Sequence, residues 1–123
     1  VNIASGSGMR ASPFTGPYGA AKAGMLNMTE TLSIELAPLK IRVNAVSPGP
    51  VITEAFYEVL GAEGAEQAIA DTIPLGVVGT PDDIAGAVVY LASPAAGWVT
   101  GRNMLVAGGR TQRGYQYTPS EED

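Results

Sequence analysis

The sequence contains neither cysteine nor histidine among its 123 residues. These absences exclude a disulfide framework, a zinc site of cysteine and histidine, a cysteine nucleophile and a Ser-His-Asp triad within this chain. Basic residues are also scarce, since seven Lys and Arg stand against twelve Asp and Glu and give a net charge of −5. We therefore expect no nucleic-acid partner, because such partners require a basic surface.

Long apolar runs are missing as well, and none approaches the roughly 20 residues that a membrane-spanning helix needs. No signal peptide is visible, so we expect a cytoplasmic protein without a membrane partner. The chain is nevertheless 46% hydrophobic and only 15% charged, which is the reverse of a disordered acidic chain. Its length suits one small folded domain.

Hydrophobic patterns and chain-breaking residues divide the sequence into alternating strands and helices. Strands are predicted at 1–5, 40–46 and 103–107, and helices at 18–38, 53–60, 65–72 and 81–92. This order predicts an α/β fold with a parallel three-stranded sheet and right-handed crossover helices, which is one half of a doubly wound, Rossmann-like domain. We assign 1–109 to this half and 110–123 to a polar tail.

The chain opens directly on a strand at Val1, which favours a cut through a longer chain. A doubly wound fold needs two such halves, so we expect the gene to encode roughly twice this length. This chain alone is then expected to bind a dinucleotide poorly and to be inactive.

The run 6–11 matches the G-x-G-x-x-A pattern of a dinucleotide-binding turn. Such a turn must open directly into a helix, whose amino terminus meets the pyrophosphate. Pro13, Gly16 and Pro17 prevent a helix there, so we interpret the run as a glycine turn that follows a strand.

Tyr18 and Lys22 are the most informative pair of side chains in the sequence. They are four residues apart on a predicted helix and therefore share one face. An ammonium group one turn away favours the phenolate form of a tyrosine, and so does the positive amino end of the helix. Tyr18 could then exchange a proton with a substrate oxygen. The alternative is a surface tyrosine that lies over a lysine stem, the usual meaning of a bare Y-x-x-x-K pattern.

Two further segments fall at the carboxyl ends of predicted strands, where open α/β sheets bind ligands. Ser5 ends the first strand thirteen residues before Tyr18, and its hydroxyl could orient a carbonyl oxygen or merely cap the turn. The loop 47–53 follows the second strand, and there the Val51 backbone and the Thr53 hydroxyl could hold a carboxamide. Thr53 could equally cap the next helix, which would make the loop an ordinary connection.

The segments around these residues share an order and spacing with a known family. They are 2–5 (NIAS), 18–24 (YGAAKAG), 42–49 (RVNAVSPG), 79–85 (GTPDDIA), 90–93 (YLAS) and 99–101 (VTG). Together they resemble the carboxyl-terminal, catalytic half of the short-chain dehydrogenase/reductase family, and the resemblance extends over about 1–109.

The resemblance implies an oxidoreductase that transfers a hydride between NAD or NADP and a small-molecule carbonyl or secondary alcohol. In that mechanism Tyr18 is the general acid/base, Lys22 favours its ionised form and bonds the nicotinamide ribose, and Ser5 holds the substrate carbonyl. The implied cofactor-binding residues are Tyr18, Lys22, Pro48, Gly49, Val51 and Thr53, and no metal is implied. The family resemblance also implies a homo-oligomer, either a dimer or a homotetramer.

The sequence departs from the family pattern in several places. The family's glycine-rich loop, its ribose-reading residue and its catalytic Asn are absent, and Asn44 is interpreted as structural because it lies in the strand after the catalytic helix. Val77 and Ala107 stand where members often carry Arg and Asp. The region 53–72 favours an apolar or cyclic substrate over a free sugar phosphate, through its apolar residues Phe56, Tyr57, Val59, Leu60 and Ile69.

A second class of function stays open, in which a half-length, non-catalytic protein acts as an oligomerisation or interaction module. The helix predicted from residue 18 would serve it, because this helix is apolar on two sides. One side is a stripe of Ala21, Met25, Met28, Leu32 and Leu36, and the other carries Ala20, Ala23, Leu26 and Ile34.

Overall fold

The structure of the chain is a computed structural model that describes residues 1–61 and 64–110. Three strands form one parallel sheet in the order β1-β2-β3, as the sequence predicts. The strands are β1 (Asn2–Ile3), β2 (Ala45–Pro48) and β3 (Asn103–Val106). The helices are α1 (Gly16–Glu35), α2 (Glu54–Leu60), α3 (Ala65–Ala70) and α4 (Pro81–Ala92), with short 3-10 turns at Gly6–Gly8, Ala37–Leu39 and Pro94–Ala96.

β2 begins later than predicted and continues through a proline. Lys40 has a left-handed backbone with φ 61°, which closes the preceding turn and delays the extended strand. Pro48 is tolerated because its backbone nitrogen points to the β1 side of β2. The amides that donate towards β3 are those of Ala45 and Gly49, on the other edge of the strand. The chain of β1 has already left the sheet at that level, so the missing N–H of Pro48 breaks no strand pairing.

α1 and α4 lie on opposite faces of the sheet. The side chain of Asn2, which is in register with Ala45, donates to Thr29 of α1 at 3.0 Å, while Val46 on the other face packs with Leu91 of α4. The chain moves from β1 to β2 and from β2 to β3 in the same direction across the sheet. If the connecting helices lie on opposite faces, the two crossovers therefore have opposite hands. The prediction of right-handed crossovers is therefore wrong for one connection. The connection from β2 to β3 runs through α2, α3 and α4 and is long enough to change face.

The buried face of α1 differs from the predicted apolar stripe. Thr29 and Ser33 are its buried residues, whereas Ala21 and Met28 of the stripe are exposed. The two hydroxyls can be buried because each donates to a carbonyl of its own helix, at 2.8 and 2.7 Å. Because both side chains are small, α1 can lie close to the segment that leads into β3. An added Cβ on Gly101 would lie 2.5 Å from the Ser33 Oγ.

Among the described residues, the apolar core forms two patches. The first contains Val46, Leu91 and Ala96 and joins β2 to α4. The second contains Ala70, Ile73 and Val78, against which Ile52, Phe56 and Ile69 pack. The second patch fixes the connection between β2 and α4, so the loop after β2 has a rigid support.

Within residues 1–61 and 64–110, no helix combines the length and the apolar character needed to cross a bilayer. Residues 111–123, which make up nearly all of the predicted polar tail, lie outside the described residues.

The amino end of α4 predicts a pH-dependent contribution to stability. The Asp83 carboxylate accepts hydrogen bonds from the Thr80 amide at 2.7 Å and the Thr80 hydroxyl at 3.0 Å, and these bonds lower the pKa of Asp83. A lowered pKa in the folded state adds stability above the ordinary aspartate pKa, and this stability is lost as the pH falls through the folded value. We expect Asp83→Asn to lower the melting temperature at pH 7, with a difference that shrinks towards pH 3.

The matched control for this prediction is Asp82→Asn, which removes the same charge from the same helical turn. The hydrogen bonds from Thr80 go to Asp83, so the control should change the melting temperature less at pH 7. Equal effects of the two substitutions at pH 7 would assign the stability to the helix dipole alone. Melting curves between pH 3 and pH 7 decide between these results.

Candidate active site

The turn that follows Ser5 packs directly against the beginning of α1. A Cβ on Gly8 would lie 2.7 Å from the carbonyl carbon of Lys22, and a Cβ on Gly19 would lie 2.9 Å from the carbonyl oxygen of Ser7. Contacts this short leave no room for a side chain, so glycine is required on both sides of the interface. The two glycines thereby bring the Ser5 turn onto the helix that carries the tyrosine and lysine pair.

Lys22 is held between β1 and Tyr18. Its Nζ donates to the carbonyl oxygen of Ile3 at 3.0 Å and lies 5.6 Å from the centre of the Tyr18 ring. The Ile3 carbonyl lies on the edge of β1 that faces away from β2, because the amides of Asn2 and Ala4 bond to β2. An ammonium group has three N–H donors, so the bond to Ile3 leaves donors for ligand oxygens. Tyr18 is 51% exposed, and a ligand can therefore reach its phenol.

Ser5 performs the turn-capping role that the sequence allowed. Its Oγ accepts a hydrogen bond from the Ser7 amide at 3.2 Å and begins the 3-10 turn Gly6–Gly8. This bond uses a lone pair of the hydroxyl and leaves its hydrogen free to donate. Capping and orientation of a carbonyl oxygen are therefore compatible in the same side chain.

The loop after β2 lies beside the same turn. A Cβ on Gly6 would lie 3.9 Å from the carbonyl oxygen of Pro48, which places the residue after Ser5 in contact with the end of β2. Gly49 is packed against β3, because a Cβ there would lie 2.7 Å from the Cβ of Ala107. An aspartate in place of Ala107 would crowd the same contact further, so the small residue at 107 suits the close approach of Gly49.

The backbone N–H and C=O of Val51 point away from Gly79, the residue that supports the loop from the other side. It forms a parallel bridge with Gly79, in which the Ile52 amide donates to the Gly79 carbonyl and the Gly79 amide donates to the Pro50 carbonyl, at 2.8 and 3.0 Å. In such a bridge the central residue uses neither its own N–H nor its own C=O. Both groups of Val51 therefore face the opposite side of the loop, where they can pair with a carboxamide.

Thr53 caps α2, as the sequence alternative stated. The Phe56 amide donates to the Thr53 Oγ at 3.1 Å, and the hydroxyl hydrogen stays able to donate to a ligand. The backbone groups of Val51 and the Thr53 hydroxyl thus offer a donor and acceptor set of the kind that an amide recognises. These features fit a nicotinamide carboxamide.

A polar link behind the loop was not predicted from the sequence. The buried Ser47 hydroxyl donates to the Asn103 side-chain oxygen at 2.7 Å, and the Asn103 amide group contacts the Met9 sulfur at 3.2 Å. The link joins β2 and β3 to the segment that follows Ser5. The sequence offers no signal for it, since Asn103 is 94 residues from Met9.

Asn44 has the structural role expected for it. It is buried, its Nδ2 donates to the Val99 carbonyl at 2.8 Å, and its Oδ1 accepts from the Arg102 amide at 3.0 Å. These bonds fasten the approach to β2 to the approach to β3. A buried amide with both ends engaged has little capacity for a catalytic role.

Some of the apolar residues after Thr53 that were predicted to contact a substrate belong to the core instead. Phe56 and Ile69 pack into the second core patch and so have less surface for a substrate than the sequence interpretation assumed. Tyr57 is exposed, and its hydroxyl donates to Glu66 at 3.1 Å. This hydrogen bond and the negative charge of Glu66 raise the pKa of Tyr57, so Tyr57 is a poor proton donor at neutral pH.

The arrangement therefore collects four kinds of group around the carboxyl ends of β1 and β2. They are an accessible phenol, an ammonium next to it, a hydroxyl on the adjacent turn, and a loop whose Val51 backbone groups are not used by its bridge to Gly79. The first three can exchange a proton with an oxygen atom and orient a carbonyl. The loop can hold a planar amide beside them.

Comparisons with known proteins point in the same direction. The family model described as Enoyl-(Acyl carrier protein) reductase matches residues 1–111. The 3-oxoacyl-acyl-carrier-protein reductase FabG of Rickettsia felis is 41% identical over 109 residues, which are 89% of this chain and 44% of that protein.

Solved structures give the same result. 4-Hydroxyisoleucine dehydrogenase complexed with NADH matches with 35% identity and a TM-score of 0.83 over 89% of this chain and 45% of that one. An NADPH-bound short chain oxidoreductase from Pseudomonas aeruginosa PAO1 matches with 30% identity and the same TM-score, over 89% of this chain and 44% of that one. The predicted Rossmann-like α/β fold is thereby confirmed, and the chain spans less than half the length of these relatives.

Proposed function

Because this chain belongs to the short-chain dehydrogenase/reductase family, we propose that it carries the catalytic residues of an enzyme that interconverts a small carbonyl compound and its secondary alcohol. The observation that supports this most strongly is the packing of the Ser5 turn on α1 through Gly8 and Gly19. This packing holds the segment after Ser5 against the part of α1 that carries Tyr18 and Lys22.

The three side chains have distinct roles in the proposed reaction. The Ser5 hydroxyl donates to the substrate oxygen and orients the carbonyl. The Tyr18 phenol gives its proton to that oxygen during reduction and removes it during oxidation. Lys22 stabilises the negative charge that Tyr18 gains when its proton leaves, because the ammonium lies against the same ring.

The residues that would hold the cofactor are Tyr18, Lys22, Pro48, Gly49, Val51 and Thr53. When bound, NAD or NADP supplies or accepts the hydride. The backbone groups of Val51 and the hydroxyl of Thr53 would hold the carboxamide, and the remaining donors of Lys22 would bond the ribose hydroxyls. Pro48 and Gly49 shape the loop between them. The adenosine end of the cofactor is proposed to bind outside this chain, in a part equivalent to the rest of the relatives' length.

Residues 1–109 are proposed as the catalytic half of the enzyme, and the enzyme as a cytoplasmic homo-oligomer. A dimer or tetramer is supported by the outer surface of α1, where apolar residues are exposed in the single chain. They are Ala20, Ala23, Met28 and Ile34. A second copy that packs on this surface would bury it, in the way that unpartnered apolar helix faces are usually buried.

The test of the proposed function uses the product of the whole gene. NADH and NADPH are titrated separately and followed by the fluorescence of the reduced nicotinamide, because Trp98 is fully exposed and reports poorly on the site. Ketones and secondary alcohols are then supplied with the cofactor that binds. We expect binding of one dinucleotide or both and turnover of at least one carbonyl compound. Failure of both dinucleotides to bind would favour the non-catalytic interaction module.

A further inference from the structure

Two arginines line a small cleft next to the proposed catalytic residues. Arg10 comes from the segment after Ser5, and Arg110 follows β3 at its carboxyl end. The cleft is shallow, with a volume of about 30 Å³ that opens to solvent, and its other walls are Gly6, Met9, Gly49, Pro50, Leu105 and Ala107. The walls therefore include both the turn after Ser5 and the cofactor loop.

The two guanidinium groups are close enough to repel each other. Burial, and after it the positive charge of Arg10, lower the pKa of Arg110. No carboxylate is among the groups that act on Arg110 within the described residues. Two like charges at the rim of one partly apolar cleft destabilise the folded chain, and a bound anion removes that repulsion.

The contact of the cleft with the turn after Ser5 favours the substrate as the carrier of the anion. Gly6 lies next to Ser5, which is proposed to hold the substrate oxygen, and the same Gly6 is in contact with Pro48. A group that sits between the arginines therefore lies at the same carboxyl edge of the sheet as Ser5, on the β2 and β3 side of it.

We infer that Arg10 and Arg110 bind an anionic group of the substrate, a carboxylate or a phosphate, and that the enzyme acts on carbonyl compounds or alcohols that carry such a group. This inference rests on the proposed function. Guanidinium groups suit both anions, because their planar N–H donors pair with two oxygens at once. The shared chemistry is an oxyanion carried on the same molecule as the carbonyl.

The experiment compares substrates that differ only in charge. Acetoacetate is paired with methyl acetoacetate, and dihydroxyacetone phosphate with dihydroxyacetone. Each is titrated by calorimetry into the whole gene product saturated with its oxidised cofactor. We expect at least one anionic member to bind about tenfold or more tightly than its neutral partner, which corresponds to a single charge-assisted hydrogen-bond pair. The pair that shows the preference distinguishes a carboxylate from a phosphate.

Variants assign this preference to the two arginines. Arg10→Gln and Arg110→Gln should each reduce the preference for the anion, and the double variant should abolish it. Arg102→Gln is the matched control, since Arg102 is exposed at the opposite, amino end of β3 and should leave the preference unchanged. Cofactor affinity is measured in every variant and should not change.

Several results would overturn the inference while leaving the proposed function intact. They are equal affinity for the charged and neutral members, no binding of any of the four compounds, or a preference that survives in the double variant. Weaker cofactor binding in the arginine variants would assign the cleft to a cofactor phosphate instead and would also overturn it. The proposed function fails separately, through the absence of dinucleotide binding by the unsubstituted protein.

Discussion

Tyr18→Phe is expected to reduce kcat by about 10²–10⁴-fold, because the substitution removes the only atom of this side chain that can carry a proton to the substrate. The ring, its contact with Lys22 and its place in the first turns of α1 are retained by phenylalanine. Folding and cofactor binding should therefore persist. Loss of one hydrogen bond to the cofactor would weaken binding by no more than roughly tenfold.

The measurement combines steady-state turnover with cofactor titration and a melting curve on the same preparation. Tyr90→Phe is the matched control, since Tyr90 is a partly exposed tyrosine on α4, across the sheet from α1. It should leave kcat unchanged. An unchanged kcat in Tyr18→Phe would remove Tyr18 from the mechanism, whereas a fall in kcat together with lost cofactor binding would assign it to binding alone.

The sequence was sufficient for the features that depend on neighbouring residues. Tyr18 and Lys22 share a face because helical spacing requires it, and Thr53 caps α2 because a threonine before a helix can accept an amide. The alternation of strands and helices likewise predicted the parallel sheet. These features follow from local chemistry, which a single sequence contains in full.

The features that were missed depend on contacts between distant segments. The end of β2 at Pro48 is determined by where β1 leaves the sheet, and nothing near Pro48 in the sequence indicates that point. The inner face of α1 is set by the close approach of Ser33 to Gly101 rather than by apolar spacing. The arginine cleft joins residues that lie 100 positions apart. The tertiary fold alone brings such pairs together.

Gly8, in the turn after Ser5, is another residue whose role depends on a distant contact, and this contact bears on the proposed reaction. In the sequence, Gly8 belongs to a run that looks like a flexible turn or a phosphate loop. In the structure its small size is needed for contact with the backbone of α1, because the nearest atoms to an added Cβ are the Lys22 carbonyl carbon and the Ala23 nitrogen, at 2.7 and 2.8 Å. Both belong to a rigid helix and cannot move aside.

Gly8→Ala is therefore expected to push the turn away from α1 and to displace Ser5 from Tyr18. The overpacking should cost about 1–3 kcal/mol of the free energy of unfolding. Turnover should fall more than stability alone explains, by about 10²-fold, because a displacement of about 1 Å at the reacting groups has that effect. The measurements are urea unfolding and kcat/KM, both made under conditions in which the variant is fully folded.

Gly86→Ala provides the contrast, because Gly86 lies in α4, away from the α1 surface proposed for the oligomer, and an added Cβ there would meet nothing within 4 Å. This substitution should leave turnover intact and stabilise the chain by up to about 1 kcal/mol through helix propensity. If Gly8→Ala keeps full activity, the turn does not position Ser5 and the serine has no part in the reaction. If both variants lose activity, the activity is sensitive to helix substitutions in general, and the contact between Gly8 and Lys22 is not what maintains the site.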